Sequence, residues 1–183
     1  MYGLVNRGIE HLVRHQHGDA AWERVLRRAG IEDEVFVTGE SYPDALTYTL
    51  VGAASEELTV STADFLRAFG RHWVLFTGSA SYGALFDLTG ATLPEFLTNM
   101  DRLHAATELS APSICPPHFR CTEVRDGSLR LHYHSRRAGL WPMVEGILQG
   151  LGERFGVRVH SELVASRERG ADHEEFLITY SAV

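Results

Sequence analysis

The chemistry this sequence could support concentrates in an isolated histidine and a short polar run. His104 follows Phe96 and Met100 at i, i+4 and i+8, with Leu97 beside them, so a helix here puts its imidazole in an apolar stripe. A polar ring in that position needs a partner. It is either a core histidine satisfied by a neighbour or a neutral axial ligand for a haem iron, and one histidine does not decide between the two. Further on, Tyr133, Ser135 and Arg137 alternate within Tyr133-His134-Ser135-Arg136-Arg137. On an extended backbone alternate side chains share a face. A phenol, a hydroxyl and a guanidinium then converge as two neutral donors and a planar charged fork, a set suited to carboxylates. The plainer reading of that run is an exposed polar strand face, but the same chain also offers an inward histidine.

The other candidates carry less. There is no glycine-rich phosphate loop, G-x-S-x-G, C-x-x-C or H-E-x-x-H. His11 and His15, one helical turn apart, could present two imidazoles to a metal, but a solvated helix face is the plainer reading. His132 and His134 share a face of an expected strand and read as partly exposed sheet residues, because no carboxylate or cysteine ligand stands near them in sequence. Cys115 and Cys121 read as structural thiols.

The elements that must position these groups are helices first and strands later. Val5, Ile9, Leu12 and Val13 recur at helical spacing. A second helix starts at Asp19 as N-cap, buries Trp22, Val25, Leu26 and Ala29, and stops at Gly30. A short extended piece spans Glu34 to Thr38, and Pro43-Asp44 opens a helix to about Glu57. Ser61-Thr62-Ala63-Asp64 opens the next, with Phe65, Leu66, Phe69, Trp73 and Phe76 facing inward. A short helix over Ser81 to Leu88 ends at Gly90, and Thr92-Leu93-Pro94-Glu95 forms a capping box for the helix that carries His104. Beyond a break at Pro112, Pro116 and Pro117 the period changes to two. Phe119–Val124 and Leu129–His134 form a hairpin about Asp126-Gly127, followed by a helix from Trp141 to Phe155. Strands near Val157–Ala165 and Glu175–Ser181 close the chain around Arg167 to Asp172. The expectation is α+β, helices first, with an antiparallel sheet of about four strands packed on later helices.

Composition narrows the function classes. At 183 residues the chain suits one domain, and a domain of that size buries about 70% of its unfolded surface. The formal net charge of −7 disfavours a nucleic-acid binder, which needs a basic face. Two cysteines cannot make a disulfide framework, so a reducing cytoplasm is expected. The apolar stretches fall short of the ~20 residues a membrane span needs. Met1 to Asn6 lacks the order of a secretion signal, so the mature chain is expected to start as written and to be soluble and intracellular.

Taken together, these residues resemble the H-NOX family, the haem–nitric oxide/oxygen binding domains. The resemblance runs along nearly the whole chain: Met1-Tyr2-Gly3-Leu4-Val5-Asn6 at its opening, Val51-Gly52-Ala53-Ala54-Ser55 and Ala68-Phe69-Gly70 in the middle, and Pro94-Glu95-Phe96-Leu97 leading to Leu103-His104. Pro117 with Phe119-Arg120-Cys121 follows, and Tyr133-x-Ser135-x-Arg137 matches the family's Y-x-S-x-R signature. The pattern is most similar to stand-alone bacterial members and to the haem domain of the soluble guanylate cyclase β subunit.

The resemblance implies a single domain over 1–183, with a helical subdomain (1–62) and a haem-anchoring α+β subdomain (63–183), the haem between them. It implies haem b ligated by His104, its propionates held by Tyr133, Ser135 and Arg137, and Pro117 pressing on the macrocycle. In oxygen-binding members a distal tyrosine donates to the ligand. The matching position here is Met143, which cannot donate, and Trp73 is the other distal residue. The expected function is therefore a sensor, not an enzyme, that binds NO and CO, excludes O2 and signals by weakening or release of the His104 bond. With no effector domain attached, it would act on a partner such as a histidine kinase or a diguanylate cyclase. The alternatives are a haem enzyme, a peroxidase or NO-consuming oxygenase, which wants a distal His or Arg or a proximal thiolate, and a haem-free scaffold.

Overall fold

The computed structural model describes residues 1–31, 35–110 and 115–183, without the side chains of 77–82 and 106–110. Among the described residues no helix is long and apolar enough to cross a membrane.

Three helices, α1 (Gly3–His17), α2 (Asp19–Ala29) and α3 (Asp44–Glu57), gather a first core around Ile9, Leu12, Trp22, Val25 and Leu50. Gly30, at φ 66°, ends α2 in the left-handed conformation that glycine adopts freely. Asp19 is the first helical residue of α2 rather than its N-cap, a position held by Gly18, and its carboxylate pairs with Arg14. No strand forms at 35–38, and Glu34 lies outside the described residues.

Helix α4 (Thr62–His72) is capped by Ser61, whose hydroxyl accepts the Asp64 N–H at 3.0 Å. Phe65, Leu66 and Phe69 point into the first core. The helix then widens into a π-helical turn at Trp73–Gly78. That change of pitch turns Phe76 off the apolar stripe: contrary to the helical reading it is 41% exposed, stacked on His72 with ring centroids 4.7 Å apart.

After α5 (Ser79–Thr89), helix α6 (Leu93–Ser110) begins at the expected capping box. Glu95 N–H reaches Thr92 Oγ1 at 3.4 Å, while the Glu95 carboxylate accepts the Ala91 N–H at 3.0 Å, one residue before the usual partner. The sheet consists of β1 (His118–Arg125), β2 (Ser128–His134), β3 (Val157–Ala165) and β4 (Glu174–Ala182), antiparallel throughout in the order β1-β2-β4-β3. Gly127, at φ 74°, makes the first hairpin turn. Alternate residues Leu129, Leu131, Tyr133, Phe176 and Ile178 leave the sheet on one face and join Leu148 and Leu151 of α7 (Trp141–Phe155) in a second core that also takes Phe96, Leu97 and Met100 of α6.

Helices α4 and α7 lie backbone against backbone. A Cβ on Gly70 would collide with the Met143 carbonyl oxygen, and one on Gly146 with that of Arg67. Arg67 and Arg71 bind Glu145 and Glu153 along the same seam. This approach sets Met143 beside the end of α4, where Trp73 begins the π turn. Gly146→Val should therefore cost about 1–3 kcal/mol or more, as overpacking does when backbone must move, and thermal unfolding measures it.

His72 adds a second expectation. It is 2% exposed, its Nδ1 has no hydrogen-bond partner among the described residues, and its Nε2 lies 2.7 Å from His11 Nδ1. Burial first, then the neighbouring His11 and His15, lowers its pKa from 6.5 to about 4. The unfolded chain takes up this proton at higher pH than the folded one. The contribution of neutral His72 is thus complete above the unfolded value and lost as pH falls toward the folded one. On the order of 3 kcal/mol should vanish between pH 7 and 4. His72→Phe should flatten that fall when unfolding is measured across this range.

Candidate functional site

The site is assembled from stretches far apart in the chain. Its anchor is His104 on α6, which the repeat of Phe96 and Met100 turns toward the second core. Asp101, one turn earlier, accepts the Phe119 N–H at 2.7 Å and so ties α6 to the first residues of β1. That tie brings Pro117 against the imidazole, with His104 Nδ1 3.1 Å from the Pro117 carbonyl oxygen. A carbonyl only accepts, so the proton is on Nδ1 and the lone pair on Nε2. Burial pulls the His104 pKa down, against the hydrogen bond to Pro117 and the charge of Asp101, which raise it. The ring is therefore neutral at neutral pH, the form that ligates a metal. Phe119 packs on it, centroids 5.5 Å apart, and Tyr133 packs on Phe119 at 5.2 Å.

Tyr133, Ser135 and Arg137 meet, though not as the alternating face of one strand. Strand β2 ends at His134, and Ser135 and Arg137 lie in the bend that leads to α7. The Ser135 hydroxyl accepts the Arg137 N–H at 3.1 Å, a local turn that competes with strand pairing and rotates Arg137 back toward the core. Burial raises the Tyr133 pKa, against the nearby Ser135 hydroxyl, which lowers it, and the phenol stays protonated. Arg137 donates from Nε to Asp44 at 3.0 Å and from Nη1 to the Cys115 carbonyl at 2.7 Å.

These groups share one space. Trp73, His104, Pro117, Tyr133, Ser135, Arg137 and Met143 all line a single cavity of about 390 Å³, within the range of small-molecule sites. Val5, Ile9, Leu66, Phe69, Met143 and Ile147, which form much of its wall from α1, α4 and α7, have side chains without an N–H or O–H. Of the other hydroxyls that line it, that of Thr47 donates to Asn6 at 2.7 Å, and that of Tyr42 accepts the Val37 N–H at 2.9 Å. Trp73 lies against Gly8, where a Cβ would meet its ring at 3.1 Å.

Asp44 and Arg167 belong to the site without any signal in the sequence that singles them out. Asp44 reads there only as a helix opener, yet it pairs with Arg137 and with the Met1 amine. Burial opposes its ionisation, but these two cations lower its pKa overall. Arg167 donates to the carbonyls of Ser135 and Arg137 at 2.9 and 2.8 Å and pairs with Glu174, which is 2% exposed. A buried glutamate signals such a cation, but only once burial is known. The two thiols also differ: Cys115 is exposed, whereas burial of Cys121 pushes its pKa up to about 11.

An apolar cavity with one inward neutral imidazole and a guanidinium at its polar end has the chemistry to take a flat apolar group with anionic tails. Haem is such a group, and the residues present fit it. The chain belongs to the haem-NO-binding (HNOB) family, whose model matches residues 2–163, and its members are haem-binding gas-sensing domains. It is 29% identical to soluble guanylate cyclase gcy-32 of Caenorhabditis elegans over 97% of this chain and 28% of that protein. With the guanylate cyclase soluble subunit beta-2 of Rattus norvegicus it shares 36% identity over 49% of this chain and 13% of that protein. The chain thus spans only about a quarter of the length of the first such relatives. Among solved structures it superposes on an H-NOX protein from S. oneidensis in the Fe(II)NO ligation state, with TM-score 0.87, 23% identity and 99% of both chains covered. It also superposes on a mutant H-NOX protein from K. algicida in the Fe(II) unliganded state, with TM-score 0.86, 23% identity and 99% and 97% covered.

Proposed function

We propose that this chain is a cytoplasmic sensor of NO and CO that holds haem b and excludes O2. The observation that carries the reading is the convergence of His104, Pro117, Tyr133, Ser135, Arg137, Trp73 and Met143 on one apolar cavity, with the His104 proton already committed to the Pro117 carbonyl. When bound, haem would supply an iron able to bind a diatomic gas, with His104 as the residue that would hold it.

His104 Nε2 would be the metal ligand, and the hydrogen bond from Nδ1 to Pro117 fixes the tautomer and the ring orientation. Arg137, with Tyr133 and Ser135, meets the propionates, and charge-assisted bonds from its guanidinium contribute roughly 1.5–3 kcal/mol each. Pro117, which lines the same cavity, would bear on the macrocycle. Met143 lines the cavity and offers no donor, so an O2 ligand, which needs a hydrogen bond to be held, would find none from that position. NO and CO need such a donor much less.

Signalling then depends on the tether. Loosening of His104 would free α6, and the two packed cores, one around α1 to α3 and one around the sheet, would shift against each other as a ligand-biased two-state element. We take the chain as one domain divided near residue 62. Its downstream partner is an effector protein such as a histidine kinase or a diguanylate cyclase.

The visible absorption spectrum of the reduced, haem-loaded protein tests this reading. NO and CO should each change it and O2 should not, with NO giving the signature of His104 loss. Stable O2 binding overturns the selectivity, and retention of His104 under NO at all conditions overturns the signal. Met143→Tyr should introduce O2 binding. His104→Gly should yield haem-poor protein that imidazole restores, and an unchanged haem content would move the ligand elsewhere.

A further inference from the structure

Away from the cavity, the outer face of the sheet gathers a second set of ligating groups. His132 and Glu175 are direct partners in the β2–β4 register, and His173 immediately precedes β4. His132 reads in the sequence as partly exposed for want of a nearby carboxylate, but it is only 8% exposed, and the sheet supplies that carboxylate. Its Nδ1 lies 2.9 Å from His173 Nε2 and 3.8 Å from Glu175 Oε2. One ligating atom from each of the three residues falls within 4.8 Å of the others.

The far side of each group is already held by another residue. His132 Nε2 meets Thr122 Oγ1 at 2.7 Å, His173 Nδ1 meets Asp172 Oδ1 at 2.5 Å, and Glu175 Oε1 is bonded to Arg130. The Asp172 carboxylate accepts, so His173 carries its proton on Nδ1 and turns the Nε2 lone pair inward. A hydroxyl can donate or accept, so Thr122 equally allows His132 to hold its proton on Nε2 and present Nδ1. A carboxylate–histidine pair aimed at a shared point is how metal-ligating imidazoles are oriented. In the metal-free protein a single proton bridges the two facing nitrogens, and a cation can replace it. Charge permits this. Asp172, Glu175 and Glu123 stand against Arg130 and Arg120, the residue opposite His132 on β1.

We propose that His132, His173 and Glu175 form a binding site for one divalent cation of the zinc class. Two imidazole nitrogens and one carboxylate oxygen suit zinc and are too rich in nitrogen for calcium or magnesium. With metal–nitrogen bonds of about 2.0–2.1 Å the facing nitrogens need to part by only a few tenths of an ångström. His134, stacked on His173 with centroids 4.1 Å apart, covers the site on one side. The cation pins the start of β4 to β2. Glu174, between two of its ligands, holds Arg167 and through it the carbonyls of Ser135 and Arg137, so the clamp stiffens the rim of the cavity.

The test is a zinc titration by calorimetry on the full chain after chelator treatment, with melting temperature read in parallel. One equivalent should bind at micromolar affinity or tighter and raise the melting temperature. His173→Ala and Glu175→Gln should each weaken binding at least tenfold, while His11→Ala, which alters the other close histidine pair, should leave it unchanged. X-ray absorption at the zinc edge of the unsubstituted protein should show two imidazoles in the coordination shell, a readout independent of whether any variant folds. No stoichiometric binding, persistence in both sheet variants, loss in His11→Ala, or a shell without imidazole each overturns the proposal.

Discussion

A single hydrogen bond, from His104 Nδ1–H to the Pro117 carbonyl, is the constraint on which the rest of this structure turns. An imidazole in an apolar wall is costly unless one nitrogen is satisfied, and satisfying it with a carbonyl dictates which nitrogen keeps its lone pair. To supply that carbonyl the chain must bring the residues before β1 against the middle of α6. The Asp101 carboxylate does so by taking the Phe119 N–H, and the ring ladder His104–Phe119–Tyr133 carries the same alignment across to β2. The neutral imidazole, the position of Pro117 and the placement of Tyr133 are thus one arrangement seen from three sides.

At the polar end of the cavity, charge does what packing does in the middle. Arg137 sits between the Asp44 carboxylate of α3 and the Cys115 carbonyl, with its own carbonyl held by Arg167. One guanidinium therefore links the helical half of the chain to the sheet half.

Much of this is legible in the sequence, and the remainder is hidden for identifiable reasons. Helix α7, bounded by Trp141 and Phe155, and the hairpin at Gly127 are set by local signals, periodicity and turn chemistry, and both form where those signals lie. His104 is legible because a polar ring in an apolar stripe is an exception. Phe76 departs from its helical spacing because the widening of α4 into a π turn answers to tertiary packing, which no spacing rule records. Ser135 and Arg137 continue the alternation of a strand that in fact ends at His134, since the Ser135 hydroxyl offers the backbone an alternative to the ladder. Asp44 as the mate of Arg137, and Glu175 as the neighbour of His132, are contacts between distant segments that exist only once helix α3 docks and β4 pairs.

The crossing of α4 and α7 has a mechanical consequence. With Gly70 and Gly146 each pressed onto a facing carbonyl, these two helices cannot slide past one another without backbone collision, and the arginine–glutamate pairs along the seam bolt them further. Yet Phe65, Leu66 and Phe69 of α4 belong to the core of the first three helices. The fault line of this molecule therefore does not follow the α4–α7 seam. It runs through the side-chain contacts that α4 makes with α1 and α3, apolar apart from the His72–His11 hydrogen bond, where slippage breaks that bond but no backbone fit.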